Sequence, residues 1–150
     1  DINALLNEVV TKYKLIAEEK DISILTEFEP LFSMKFDEGL MKQVFTNLLE
    51  NAIKYSPQGS KVLISTEENN GHLIIQVADQ GYGIPSGDLD SIFEKFYRSK
   101  FAQNSDISGS GLGLYLVKYF IELHKGQISV ESIENSGTTF TVDLPMNLDA

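Results

Sequence analysis

Apolar side chains at Ile2, Leu5, Leu6, Val9, Val10, Tyr13 and Ile16 return every three or four positions, with Asn, Glu and Lys between them. That period predicts an amphipathic helix, which Asp21 breaks. From Ser23 to Glu29 the period changes to alternation, so a strand is expected there, closed by Pro30. A second short strand is expected at Met34 to Phe36. Asp37 is suited to cap a helix, with acidic Glu38 in its first turn. The helix after it carries Leu40, Met41, Val44, Phe45, Leu48, Leu49, Ala52 and Ile53, and Ser56-Pro57-Gln58-Gly59 ends it.

Val62 to Glu67 and Leu73 to Ala78 read as two strands of a hairpin around Asn69-Asn70-Gly71. Between Asp79 and Ser110 the chain is polar and irregular, with one short helix expected near Leu89 to Phe96. A last helix is expected from about Leu112 to His124, stopped by Lys125-Gly126. Two closing strands follow, Ile128 to Ile133 and Thr139 to Leu144, around Glu134-Asn135-Ser136-Gly137. The sum is an α/β (α+β) two-layer sandwich: a mixed sheet of about five strands with about three helices on one face. The long irregular stretch is the exception, because loops beyond about 12–15 residues in a compact domain are usually functional or disordered.

The 150 residues suit one domain, and 42% hydrophobic with 23% charged residues is ordinary for a globular chain. There is no internal repeat, low-complexity tract or membrane-spanning apolar run, and no secretory leader is expected. The absence of cysteine removes disulfides and thiolate zinc sites. A formal net charge of −10 argues against general nucleic-acid or anionic-membrane binding, which rests on clustered Lys and Arg. It leaves room for one bound nucleotide, where local cations and a metal ion outweigh the average.

Four segments carry candidate chemistry. Asn47, Asn51, Lys54 and Tyr55 share one face of a predicted helix beside the apolar stripe of Leu48, Leu49, Ala52 and Ile53. Asparagine is poor for helix propensity, so two on one face followed by Lys point to a ligand with metal and phosphate, against the alternative of a solvated polar face. Asp79-Gln80-Gly81-Tyr82-Gly83-Ile84 follows a strand directly. Its carboxylate repels phosphate but accepts a hydrogen bond from an exocyclic amine such as adenine's, while its glycines let backbone approach a flat ligand; a plain tight turn is the other reading. Gly109-Ser110-Gly111-Leu112-Gly113-Leu114 opens the last helix, where free backbone N–H groups bind anions, or where a hinge would sit. It lacks the Gly-Lys-Ser/Thr ending of a P-loop. In Ile92 to Arg98, Phe93 and Phe96 read as core packing, and Arg98 as a cation able to stabilise transferring phosphoryl charge.

These segments, in this order, resemble the ATP-binding catalytic domain of sensor histidine kinases, within the ATPase superfamily shared with type II topoisomerases, mismatch-repair ATPases and a heat-shock chaperone. Asn47 to Tyr55 is similar to the family's N box, Asp79 to Gly83 to G1, Phe93 to Phe96 to the F box, and Gly109 to Gly113 to G2. Gly137-Thr138-Thr139-Phe140 is similar to the last box, so the resemblance spans essentially the whole chain. It implies a Bergerat-type ATP-binding fold. It also implies that Asn51 ligates Mg²⁺ through its amide oxygen and that Asn47, Lys54 and Tyr55 lie along the phosphates. Asp79 would read adenine, with space cleared by Gly81 and Gly83, help from Thr139 through a water, and walls at Ile84 and Leu112. Residues from about 97 to 110 would form the ATP lid, with Gly109, Gly111, Gly113 and Leu114 at the nucleotide.

Hydrolysing relatives carry a Glu four residues before the metal Asn. Asn47 stands there and cannot accept a proton, which suits a pocket that presents ATP to an external nucleophile. Glu50 lies about 100° round the helix from Asn51, a poor position for activating water; a role for it beside the attacking imidazole is the expectation the resemblance carries, an exposed carboxylate its alternative, and Lys54 and Arg98 are the other expected catalytic residues, at the phosphates. His72 and His124 are expected to be structural or exposed. The resemblance implies that the phosphoacceptor histidine lies on a separate helical dimerisation domain, with a response regulator downstream. The chain itself is expected to be a monomeric, cytoplasmic piece of a longer kinase, whose membrane anchoring the sequence leaves open. The competing readings are an interaction module that reports ATP state without transfer and a serine kinase of the anti-sigma type.

Overall fold

The computed structural model describes residues 1–31, 34–97 and 113–146. Among them are three α-helices, α1 (Ile2–Glu19), α2 (Glu38–Lys54) and α3 (Gly113–Leu123), and five strands, β1 (Ser23–Phe28), β2 (Lys61–Asn69), β3 (His72–Asp79), β4 (Gln127–Ile133) and β5 (Gly137–Pro145). The strands form one sheet in the order β1-β2-β3-β5-β4. β1 runs parallel to β2, as the crossover through α2 requires, and the other pairs are antiparallel.

Alternation in the strands puts one face of the sheet under the helices. Val62, Ile64, Leu73, Ile75, Val77, Phe140, Val142 and Leu144 are all buried there, against Met41, Val44, Phe45, Leu48, Leu49 and Ile53 of α2. Residues of the opposite parity, such as Gln76 and Glu131, lie on the open face. α2 is thus wrapped by the sheet below and by α1 and α3 beside it. Its start is capped by Asp37, whose Oδ1 accepts the Leu40 N–H at 2.9 Å. Its end is capped by Lys20 at the close of α1, whose Nζ donates to the Ile53 and Lys54 carbonyls at 2.8 and 2.9 Å.

Four expectations need correction. Ile16 is 50% exposed, and Ala17 takes the buried place on α1, because the apolar stripe drifts round the helix. Residues 34–36 are irregular rather than a strand. Residues 89–96 form successive turns after a single 3₁₀ turn at Ser86–Asp88, not a helix. At the end of α3 the left-handed residue is Lys125, with φ 61°, rather than Gly126.

Candidate functional site

Asp79 is the last residue of the central strand β3. Its Oδ1 accepts the N–H of Gly81 at 2.8 Å and of Thr138 at 3.2 Å. Burial raises its pKa above the usual 3.8, and the two N–H bonds oppose that rise. The carboxylate is therefore held in one orientation, with both of its hydrogen bonds among the described residues on one oxygen.

The glycines around it are there for closeness. A Cβ at Gly81 would lie 2.4 Å from the Tyr55 carbonyl oxygen, and one at Gly83 2.2 Å from that of Ile133. Gly137, at φ 141°, passes against the Asp79 carbonyl, where a Cβ would lie 2.2 Å from the oxygen. The Tyr82 N–H donates to the Tyr55 carbonyl at 3.0 Å. The glycine loop after β3 is thereby tied to the end of α2.

On α2, Asn47, Asn51, Lys54 and Tyr55 are half-buried on the predicted shared face. The start of α3 meets them: a Cβ at Gly113 would lie 3.9 Å from Asn47 Cγ. Leu114 and Ile84 pack partly buried against the core. Arg98, Gly109, Gly111 and Leu112 lie outside the described residues, as do 98–110 of the expected lid. At its edge, burial and then Asp88 push the Tyr97 hydroxyl up to about 12, and that hydroxyl donates to Asp88 Oδ2 at 3.3 Å.

Three side chains differ from expectation. Thr138, not Thr139, stands beside Asp79: the register pairs Asp79 with Thr138 and Ala78 with Thr139, so Thr139 turns to the open face. Glu50 is half-buried rather than an exposed carboxylate, because the Tyr13 hydroxyl of α1 donates to its Oε1. Burial and this bond push Tyr13 to about 12. Phe93 packs edge-on against Phe140 with centroids 6.2 Å apart, whereas Phe96 is 65% exposed under the Lys95 ammonium. With no helix there, the spacing of three does not bring the two rings to one side.

The histidines are structural, as expected. His72 Nδ1 pairs with Asp143 Oδ1 at 2.6 Å on the open face. His124 donates from Nδ1 to the Phe120 carbonyl at 2.9 Å and accepts the Asp37 N–H at Nε2.

Ser132 escaped the sequence reading. Its hydroxyl accepts the Ile84 N–H at 2.7 Å, donates to the Gly137 carbonyl at 3.1 Å and shares a bond of 2.8 Å with the Thr138 hydroxyl. An isolated Ser in a strand carries no local signal, and only the register reveals it.

A half-buried, oriented carboxylate, a glycine cradle and an asparagine face meeting a helix start define a nucleotide-binding ATPase fold. The family described as "Histidine kinase-, DNA gyrase B-, and HSP90-like ATPase" matches residues 36–148, and the chain belongs to it. Its structure is that of histidine kinase catalytic domains. The catalytic domain of histidine kinase ThkA superposes with a TM-score of 0.85 at 28% identity, over 97% of this chain and 95% of that one. Full-length ShkA, solved in complex with AMPPNP, gives 0.85 at 29% identity over 97% of this chain and 30% of its own. Among curated relatives, the sensor-like histidine kinase SenX3 of Mycolicibacterium smegmatis is 37% identical over 145 residues, 97% of this chain. The chain spans only 38% of that relative's length.

Proposed function

We propose that this chain binds ATP with Mg²⁺ and presents the γ-phosphoryl group to a histidine on a helical dimerisation domain of a two-component kinase. The observation that carries this reading is the fixed Asp79 carboxylate in a glycine loop that is tied to the end of the helix bearing Asn47 and Asn51. Asp79 accepts the adenine amine, Gly81 and Gly83 admit the base, and Ile84 walls it. Asn47, Lys54 and Tyr55 line the phosphates. Gly113 and Leu114 begin the helix whose N–H groups face them. Arg98, Gly109, Gly111 and Leu112 join them by family resemblance.

The donor set fits magnesium. Among the described residues no group of three acidic or histidine side chains could hold a metal alone, so the ion would take its other ligands from phosphate and water. Asn51 supplies the neutral amide oxygen. When bound, the ion neutralises charge on the β- and γ-phosphates. Asn47 offers no base for water, which favours transfer to an external nucleophile over hydrolysis. Glu50, engaged by Tyr13, is assigned no part in the transfer.

The expected partners follow. ThkA has been solved in complex with the response regulator protein TrrA, and a response regulator is the downstream partner proposed for this chain's parent. No helix among the described residues is long and apolar enough to cross a membrane. The competing interaction-module reading is tested directly. Titration calorimetry with AMPPNP should show tighter binding with Mg²⁺ than without, and Asn51→Ala should lose most of that increment while keeping metal-free affinity. An unchanged increment removes the metal assignment. Radiolabelled ATP and an added dimerisation domain should yield an acid-labile label; no label favours the interaction module.

A further inference from the structure

The register places Ser132, Thr138 and Asp79 side by side in one row across β4, β5 and β3, on the face toward the helices. The hydroxyl of Ser132 has one proton and two lone pairs. The Gly137 carbonyl can only accept, so the proton goes there; the Ile84 N–H can only donate, so it takes one lone pair. All three bonds form together only if Thr138 donates to the second lone pair. The Thr138 proton is then committed sideways, away from Asp79.

We propose that Ser132 is a positioning residue that sets the hydrogen-bond polarity of the base pocket, making it accept donors and reject carbonyls. This rests on the reading of Asp79 as the group that meets the base. With its proton held by Ser132, the Thr138 oxygen offers lone pairs only, and the ionised Asp79 next to it does the same. An amine edge, as in adenine, or a water donating to both oxygens is satisfied. A base with a carbonyl oxygen at that edge, as in guanine, sets acceptor against acceptor and leaves groups unpaired. Without the Ser132 hydroxyl, the Thr138 hydroxyl is free to turn and donate to that carbonyl. The Ile84 N–H loses its acceptor in the same step, which loosens the wall on the adenine side.

The test is competition binding of ATP and GTP in EDTA, which leaves the magnesium assignment out of the measurement. The affinity ratio is independent of any misfolded fraction. Wild type should prefer ATP. Ser132→Ala should reduce the preference about ten-fold, the worth of one good hydrogen bond. It should leave the difference between ATP and ADP binding unchanged, and Ser132→Thr should keep the preference. Thr138→Val, which deletes the acceptor itself, should lose it in the same direction. A preference in Ser132→Ala within about two-fold of wild type, while Asp79→Asn loses ATP binding, overturns the role of Ser132 and leaves the reading of Asp79 standing. A wild type that prefers neither base overturns both.

Discussion

Asp79 does two opposed things. Its position at the end of β3 half-buries it, and the loss of solvation raises its pKa despite the N–H groups of Gly81 and Thr138 on Oδ1. The folded chain therefore holds this proton to higher pH than the unfolded chain does. Between those two pKa values the folded state binds more protons, so stability falls as pH rises through the window above 3.8 and stays lower at neutral pH. An amide keeps the Oδ1 acceptor without the charge. Asp79→Asn should thus melt at a higher temperature than wild type at pH 7 in the absence of nucleotide, and the gap should close on acidification. ATP affinity should fall about 10–100-fold, because in the proposed complex an acceptor facing the adenine amine becomes an amide donor. Calorimetric melts across pH and a nucleotide titration check both halves.

At the scale of elements, the end of α2 is where the site is assembled. Lys20 from α1 takes the Ile53 and Lys54 carbonyls, and the Tyr82 N–H from the glycine loop takes that of Tyr55. Lys20→Met keeps the aliphatic stem and removes the donors, which should cost about 1–2 kcal/mol in denaturant unfolding. Because Lys54 and Tyr55 line the phosphates in the proposed complex, ATP affinity should drop several-fold while adenosine binding is retained. Equal losses for both ligands would mean that Lys20 supports the fold alone. The Tyr13–Glu50 bond ties the same two helices further back along both, and it occupies the carboxylate next to Asn51 in sequence.

For the whole molecule, one core supports both halves of the site. Phe140 is 5% exposed, sits between the sheet and the turn carrying Phe93, and shares β5 with Thr138. Phe140→Ala should lower stability by about 3–5 kcal/mol, a large share of the total for a domain of this size. Nucleotide at one hundred times its dissociation constant should restore about 2.7 kcal/mol if it binds only the folded chain. Urea unfolding with and without ATP measures both numbers. A ligand effect absent from the variant but present in wild type would place the damage in the site rather than the core.

The helices and strands were legible because their signals are local. The apolar period of Met41, Val44, Phe45, Leu48 and Leu49 lies within about two and a half turns, and Asp37 caps its own helix. The family boxes were legible for the same reason, since each is a short run of special residue types. Side-chain partners were not. Asp79 and Thr138 meet across 59 positions, and a shift of one residue in that register would have put Thr139 there instead. The composition of Leu89 to Phe96 allowed a helix, yet the backbone turned because Ile92 and Phe93 are held by the core while Phe96, at φ 67°, is left outside it. Local chemistry thus names the elements and the reactive residue types. Which hydroxyl faces the carboxylate, and which way its proton points, is set by strand register and by contacts between distant segments, where no local period carries information.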